Sequence, residues 1–273
     1  MLSDPRVAGM LHLIKAALRP PAGAGRIALA LSMGAITHLV FTAGVLAMIL
    51  AMFYGMSASF GQVPQPWAWA VNLLLIIQFP LGHSLLLSRR GGRWLSRLVP
   101  GPHGGKLAST TFALIASIQL VMLFTLWTPS GIIWWQAGGA TFWVICTAYA
   151  LSWLLLMKAT FDAGIEVQSG ALGWMSLLAK ITPRFPDMPT QGLFRFIRQP
   201  IYVAFALTLW TVPVWTPDQL LLATSYTAYC LLAPRLKERR FSKRYGERFA
   251  RYRAAVPYAL PRIRSGAGDR HAK

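Results

Sequence analysis

Two polar stretches, Thr190–Tyr202 and Leu236–Pro261, hold most of the side chains in this chain that are equipped for chemistry. Between them lies an apolar block, Ile201–Leu232, broken by Pro213, Pro217 and Asp218. It reads as a hairpin of two short helices whose ends return to the same side, which puts Arg198 and Glu238 in one pocket. A guanidinium grips a carboxylate bidentately, and a carboxylate accepts bonds from an ammonium or from ribose hydroxyls, so such a pair suits a zwitterionic ligand. Phe194 and Tyr202 add aromatic surface on which an adenine ring stacks. A plainer reading of the same residues stays open: an Arg and a Glu solvated at helix ends, beside aromatics of the ordinary interfacial kind.

The elements that position these residues are drawn by charge. All 27 Lys and Arg residues fall into four segments, Arg6–Arg26, Arg89–Lys106, Lys158–Arg198 and Arg235–Lys273, holding four, five, five and thirteen of them. The stretches between carry none. Of the 273 residues, 55% are hydrophobic and 13% charged, and 11 are Trp, a profile that a water-soluble domain has difficulty burying. A helix crosses the hydrocarbon core with roughly 20 apolar residues, so Ile27–Met56, Trp67–Leu87, Thr110–Trp127 and Ala137–Leu156 read as four spans, none with an Asp, Glu, Lys or Arg. With the hairpin, the expected fold is an all-α polytopic membrane protein of about six membrane helices, the last two short, with no Rossmann domain. The basic segments mark the cytoplasmic side, so both termini are expected there, with Ser57–Pro66 and Thr128–Gln136 facing out.

Residues 1–26 carry apolar positions Val7, Leu11, Ile14 and Leu18 at helical spacing among charges, which points to a surface helix rather than a cleavable signal. Three regions follow: this surface helix, a four-span region over 27–157, and a core over 158–273 that holds the hairpin and a basic tail. In the tail, Phe241, Tyr245, Phe249, Tyr252 and Val256 recur at intervals of four, four, three and four, and Pro257 and Pro261 end the run. This predicts one amphipathic helix on the cytoplasmic leaflet, with a lid over a bound ligand as the other reading.

The net charge of +19 needs no nucleic-acid partner, since anionic lipid accounts for a basic skin and no nucleic-acid motif accompanies it. Gly101, Gly104, Gly105 and Lys106 have the wrong spacing for a phosphate loop, and Leu107 stands where a hydroxyl is needed. Cys146 and Cys230 sit singly in apolar segments and form no metal pair, so no metal site is expected. His38, in the middle of the first span, faces the bundle or has a function.

The segment Thr190-Gln-Gly-Leu-Phe-Arg-Phe-Ile-Arg198-Gln-Pro-Ile-Tyr202, followed by the hairpin and then Leu236-Lys-Glu238-Arg239-Arg240-Phe241, Tyr245-Gly246, Phe249, Tyr252, Val256-Pro257 and Leu260-Pro261, resembles the isoprenylcysteine carboxyl methyltransferase superfamily of membrane methyltransferases. That resemblance covers about the last third of the chain. It implies that S-adenosylmethionine binds on the cytoplasmic side through Phe194, Arg198, Gln199, Pro200 and Tyr202, and through Glu238 and Arg239 after the hairpin. Three positions depart from the family pattern: Gln199 replaces a His, Ala204 a Gly and Lys237 a Glu. Gln199 hydrogen-bonds as a neutral partner but does not titrate near pH 7 as a His does. Lys237 either weakens binding of a sulfonium or serves an anionic substrate.

Further forward, Gly82-His83-Ser84 before Arg89, then Arg93-Trp94, Arg97-Leu-Val-Pro100, Ser109-Thr110 and Trp127-Thr-Pro129 before Trp134 are similar to bacterial methanethiol S-methyltransferases and their NnrU-like relatives. The likeness implies methyl transfer to a small thiol, with His83 and Tyr202 as candidate catalytic residues; an interfacial His83 bonded to a nearby carbonyl is the alternative. It leaves open an isoprenoid or phospholipid acceptor, and a haem-binding protein with His38 and His83 as ligands. A transporter or scaffold without chemistry is a third class. The expected partners are a small-molecule or lipid-soluble acceptor and the bilayer, in a bacterial inner membrane; the oligomeric state is not set by the residues.

Overall fold

The computed structural model describes residues 5–99 and 101–261. Residues 1–4, 100 and 262–273, and with them the first residues of the surface helix, Pro100 of the Arg97–Pro100 motif and the last basic residues of the tail, lie outside the described residues. A surface helix α1 (Pro5–Ala17) precedes four long apolar helices: α2 (Ala24–Phe53), α3 (Trp67–Leu86), α5 (Gly104–Thr125) and α6 (Gly139–Asp162). Their mean hydropathy over the most apolar windows runs from 1.5 to 2.1, and among the described residues these are the helices long and apolar enough to cross a bilayer. Helices satisfy the backbone where no water can. The protein is an all-α membrane protein, with a short basic helix α4 (Arg89–Leu98) between α3 and α5.

The four expected spans appear with shifted ends. α5 begins six residues before Thr110 and α6 runs six beyond Leu156. The α6 extension carries Lys158 and Asp162, an ion pair one turn apart at 2.5 Å, which lets the helix continue past its apolar stretch.

The seam between α2 and α5 is close because small residues line it. A Cβ on Gly44 would stand 3.2 Å from the Ser117 carbonyl oxygen. Gly34 lies against α8 (Ala171–Leu178), which follows the single turn α7 (Ile165–Gln168), and a Cβ there would stand 2.7 Å from the Trp174 indole. Between α3 and α5, Gln78 Nε2 donates to the Gln119 carbonyl at 2.9 Å and Gln119 Nε2 to the Gln78 carbonyl at 2.8 Å. Each amide nitrogen thereby finds an acceptor within the spans.

The hairpin is asymmetric. α9 (Pro200–Trp210) is short, as expected, but α10 (Pro217–Tyr245) is one helix of 29 residues, not a second short one. Pro217 sits at its first turn and Thr216 caps it by accepting from Gln219 N at 2.9 Å. Pro234 lies inside the helix without ending it, and the helix carries on into the basic sequence that the apolar pattern had set apart. The expected single amphipathic tail helix is also divided. α10 stops at Gly246, where φ is +51°, a conformation that suits glycine, and α11 (Glu247–Ala255) starts beyond it.

The hairpin tip reaches the loops at the far end of the bundle. β2 (Val214–Trp215) pairs antiparallel with β1 (Trp135–Gln136), Trp135 opposite Trp215 and Gln136 opposite Val214. Thr216 Oγ1 donates to the Gly55 carbonyl at 2.5 Å. Asp218, only 2% exposed, accepts from Trp127 Nε1 at 3.1 Å and from Ser130 N and Oγ at 2.9 and 2.6 Å. At 1.5 Å per residue, the stretch of α10 from Asp218 to Glu238 covers about 30 Å.

Replacing Asp218 by Ala strands those donors in a buried site, at about 1–3 kcal/mol for each group left unpaired. Thermal unfolding of the detergent-solubilised Asp218→Ala protein is expected to begin several degrees lower than wild type; an unchanged midpoint would show that the tip is not a structural lock.

Candidate active site

Arg198 and Gln199 precede α9 in an irregular segment that the C-terminal tail covers. Arg198 N donates to the Pro257 carbonyl at 2.9 Å and Gln199 N to that of Tyr258 at 3.2 Å. Gln199 then occupies the position before α9, and Pro200, needing no hydrogen-bond acceptor, begins the helix.

The Arg198 guanidinium is the centre of the site. Its Nε meets Glu238 Oε1 at 2.8 Å, and its Nη1 donates to the carbonyls of Arg253 at 3.0 Å and Val256 at 2.5 Å. Its plane lies 5.5 Å from the centre of the Tyr258 ring. One side chain thus ties the start of α9, the middle of α10 and the end of α11 together. Both members of the pair are largely removed from solvent, their side chains 11% and 14% exposed, so removing one strands the other.

Gln199, 2% exposed, joins this pair to Lys237. Its Nε2 donates to Glu238 Oε1 at 2.8 Å, and its Oε1 accepts from Lys237 Nζ at 3.0 Å. Only this amide orientation gives both neighbours a partner of the right kind. The Lys237 ammonium lies 5.6 Å from the Phe194 ring, 5.7 Å from Tyr202 and 5.6 Å from Phe241, within cation–π range of all three. Lys237 stands three residues beyond Pro234, past the apolar part of α10. Burial brings its pKa down to about 8, against the pull of Glu238, with Arg240 adding to the depression.

Phe194 is set by a 3-10 turn, Gly192–Arg195, that Asp162 holds at the end of α6. Asp162 Oδ2 accepts from Leu193 N at 2.8 Å, and Gly192, at φ +62°, leaves the room in which that carboxylate sits. From the other side, the Tyr252 hydroxyl on α11 donates to the Phe194 carbonyl at 2.7 Å. The apolar face of α11 is therefore turned into the protein and not into the leaflet: Phe249 is buried, with its ring 5.9 Å from Phe241. Pro189, Phe194, Arg198, Gln199, Lys237 and Glu238, closed over by α11, enclose a cavity of about 10 Å³, the room of one water molecule. A larger cavity of about 700 Å³ lies between α1, α7, α8 and the chain over 180–187. Asp187, on its rim, pairs with Arg248 of α11 at 2.5 Å, and its carboxyl is held below the usual range, chiefly by a hydrogen bond from Met188 N.

No family model matches the chain, and no solved structure matches it. It is similar to a methanethiol S-methyltransferase of Pseudomonas deceptionensis, 29% identical over 75% of this chain and 77% of that protein. It is similar also to a methanethiol S-methyltransferase of Mycobacterium tuberculosis, 29% identical over 71% of this chain and 78% of that one. Nurim of Rattus norvegicus is 31% identical over 61% of this chain and 64% of its own length. The chain is thus similar to members of the isoprenylcysteine methyltransferase-like family.

Of the residues that carry the likeness to this family, Arg198, Gln199, Glu238 and Phe194 meet around one cavity, and Tyr202 presents its ring to the same lysine. Arg239 is exposed and does not line the cavity. His83 does not line it either. It lies between Phe79 and Phe112, ring centres 5.2 and 4.9 Å away, with Nδ1 buried and no partner. His38 accepts from Trp174 Nε1 at 3.0 Å across the seam of α2 and α8. Among the described residues there is no cluster of three or more His, Cys, Asp or Glu placed to hold a metal ion. Sequence reasoning missed Asp162, Phe241 and Tyr252 as parts of the site. Tyr252 and Phe241 were visible as a stripe but not as a wall, and Lys158 four residues before Asp162 was the one signal for that carboxylate.

Lysine in place of Arg198 keeps the charge but loses the fork that reaches two carbonyls of α11. In Arg198→Lys, tryptic cleavage after Arg248 and Arg251 is expected to quicken at least tenfold, in line with about 1.5–3 kcal/mol for hydrogen bonds to a charged group. Digestion at the wild-type rate would show that α11 is docked without the fork.

Proposed function

We propose that this protein is an integral-membrane methyltransferase that moves a methyl group from S-adenosylmethionine to a small thiol such as methanethiol, at the cytoplasmic mouth of the α9–α10 hairpin. The observation that carries the reading is the constellation of Arg198, Gln199 and Glu238 beside the rings of Phe194, Tyr202 and Phe241, on the segments where the family likeness falls. Relatives named methanethiol S-methyltransferase support the thiol as acceptor. In this reading residues 158–273 form the transferase core of a protein that crosses a bacterial inner membrane with six helices, and the clustering of Lys and Arg supports a core and both termini on the cytoplasmic side.

The residues fit the cofactor in kind. Aromatic faces around a cation suit a sulfonium, the Glu238 carboxylate suits an ammonium or ribose hydroxyls, and the Arg198 guanidinium suits a carboxylate. They do not fit it in volume as they stand, since the space among them holds one water, so admission requires α11 or the 3-10 turn to shift. Phe194, Arg198, Gln199, Pro200, Tyr202, Glu238 and Arg239 make up the cofactor segment. When bound, S-adenosylmethionine supplies an electrophilic methyl group. Closure of Phe249 and Tyr252 over the cavity excludes water, which favours the thiolate as acceptor over hydrolysis. A thiol with a pKa of about 8.5 needs only slight help to ionise; Tyr202, facing the cavity lysine, and His83, in its apolar seam, are the candidate groups. The haem reading loses support, since His38 Nε2 is already engaged by Trp174.

The test is calorimetric titration of the purified protein with S-adenosylmethionine, followed by transfer of labelled methyl to methanethiol with trapping of the volatile thioether. Glu238→Gln is expected to bind at least tenfold more weakly, from loss of charge-assisted bonds worth about 1.5–3 kcal/mol. Absence of both binding and thioether would refute the assignment, and a haem absorbance band in the same preparation would replace it.

A further inference from the structure

The cage of Phe194, Tyr202 and Phe241 has the form of a site for an onium ion, three aromatic faces at 5.6–5.7 Å from one positive nitrogen. Its occupant belongs to the chain itself. Resting on the cofactor reading above, we infer that Lys237 is a tethered competitor for the sulfonium: the three-ring cage holds a single cation, so cofactor binding requires Lys237 to give up its proton.

Three features support this. A sulfonium admitted among these rings by a shift of α11 or of the 3-10 turn would stand within a few ångströms of the Lys237 nitrogen, between apolar faces, where Coulomb repulsion is large. The lysine keeps a partner in either state, donating to Gln199 Oε1 whether as ammonium or as amine. Burial has also brought its proton loss down to about pH 8, so deprotonation near neutrality costs little. The groups facing it are Glu238 and Arg240 on its own helix, Gln199 and Tyr202 on α9, Arg198 at its edge and Tyr252 on α11. Of these side-chain types only a lysine depressed in this way titrates between pH 6.5 and 8.5; burial pushes Tyr252 up to about 12.

The sign follows. At pH 6.5 Lys237 is mostly protonated and the sulfonium meets a like charge; as pH rises through about 8 the amine form grows and the repulsion goes. S-Adenosylhomocysteine shares every other group with S-adenosylmethionine but lacks the methyl and the positive sulfur, which makes it the internal control.

The experiment is calorimetric binding of both ligands to the full-length protein at pH 6.5, 7.5 and 8.5, for wild type, Lys237→Met and Lys237→Arg. In wild type, affinity for S-adenosylmethionine is expected to rise at least tenfold over this range, since one ionisation changes a binding constant by up to about tenfold per pH unit, while S-adenosylhomocysteine stays level. Lys237→Met binds S-adenosylmethionine tightly at every pH, and Lys237→Arg, charged throughout, binds it weakly at every pH yet keeps its hold on S-adenosylhomocysteine. The same rise for both ligands, or a rise that survives in Lys237→Met, overturns the inference while leaving the cofactor assignment intact. Failure of both ligands to bind any of the three proteins removes the cofactor assignment itself, and the inference with it.

Discussion

The site depends on one guanidinium. Arg198 reaches Glu238 on α10, the carbonyls of Arg253 and Val256 around the end of α11, and the face of Tyr258 in the tail. Segments 40 to 58 residues beyond Arg198 therefore meet where a planar, multivalent donor can satisfy them together. The Phe249 contact, the Tyr252 hydroxyl and the backbone bonds from Arg198 and Gln199 to the tail just beyond α11 also hold it over the cavity, whereas its exposed ion pair to Asp187 contributes little. A structural bond thereby occupies a group that would also serve a carboxylate ligand. Opening of α11 and exposure of Arg198 are one event.

The hairpin places that guanidinium. It is tied at its far end by the two-residue β pairing, by Thr216 on Gly55 and by the three donors on Asp218. At its near end it is tied by the tail. Between the two anchors α10 is a single continuous rod, so the near-side residues stand at a set depth from the far-side loops. The 3-10 turn is anchored differently, on Asp162 at the end of α6, which gives the aromatic wall an independent support.

The chemistry of the cavity is a contest between aromatic faces that favour positive charge and a nearly dry enclosure that tolerates little of it. Glu238 is balanced by Arg198, and Lys237 is held by rings and one amide oxygen. Gln199 joins the two halves. A histidine at that position, as in the family pattern, would bring its own titration, whereas an amide carries both hydrogen bonds without changing charge.

The sequence by itself determined the membrane class and the four long apolar helices, because hydropathy acts over distances the chain itself spans; it brought Arg198 and Glu238 to one mouth of the hairpin but left a paired and a solvated reading open, which tertiary structure decided. It misplaced α10 and the tail helix. Apolar content cannot tell where a helix ends when its polar continuation still packs, and Gly246 breaks the stripe for a reason of backbone conformation, not of polarity. The turning of Phe249 inward, the grip of Asp162 on the 3-10 turn and the enclosure of Lys237 by three rings were settled only by tertiary structure. Each joins residues from separate helices at a few ångströms, and no periodicity along one chain encodes that distance.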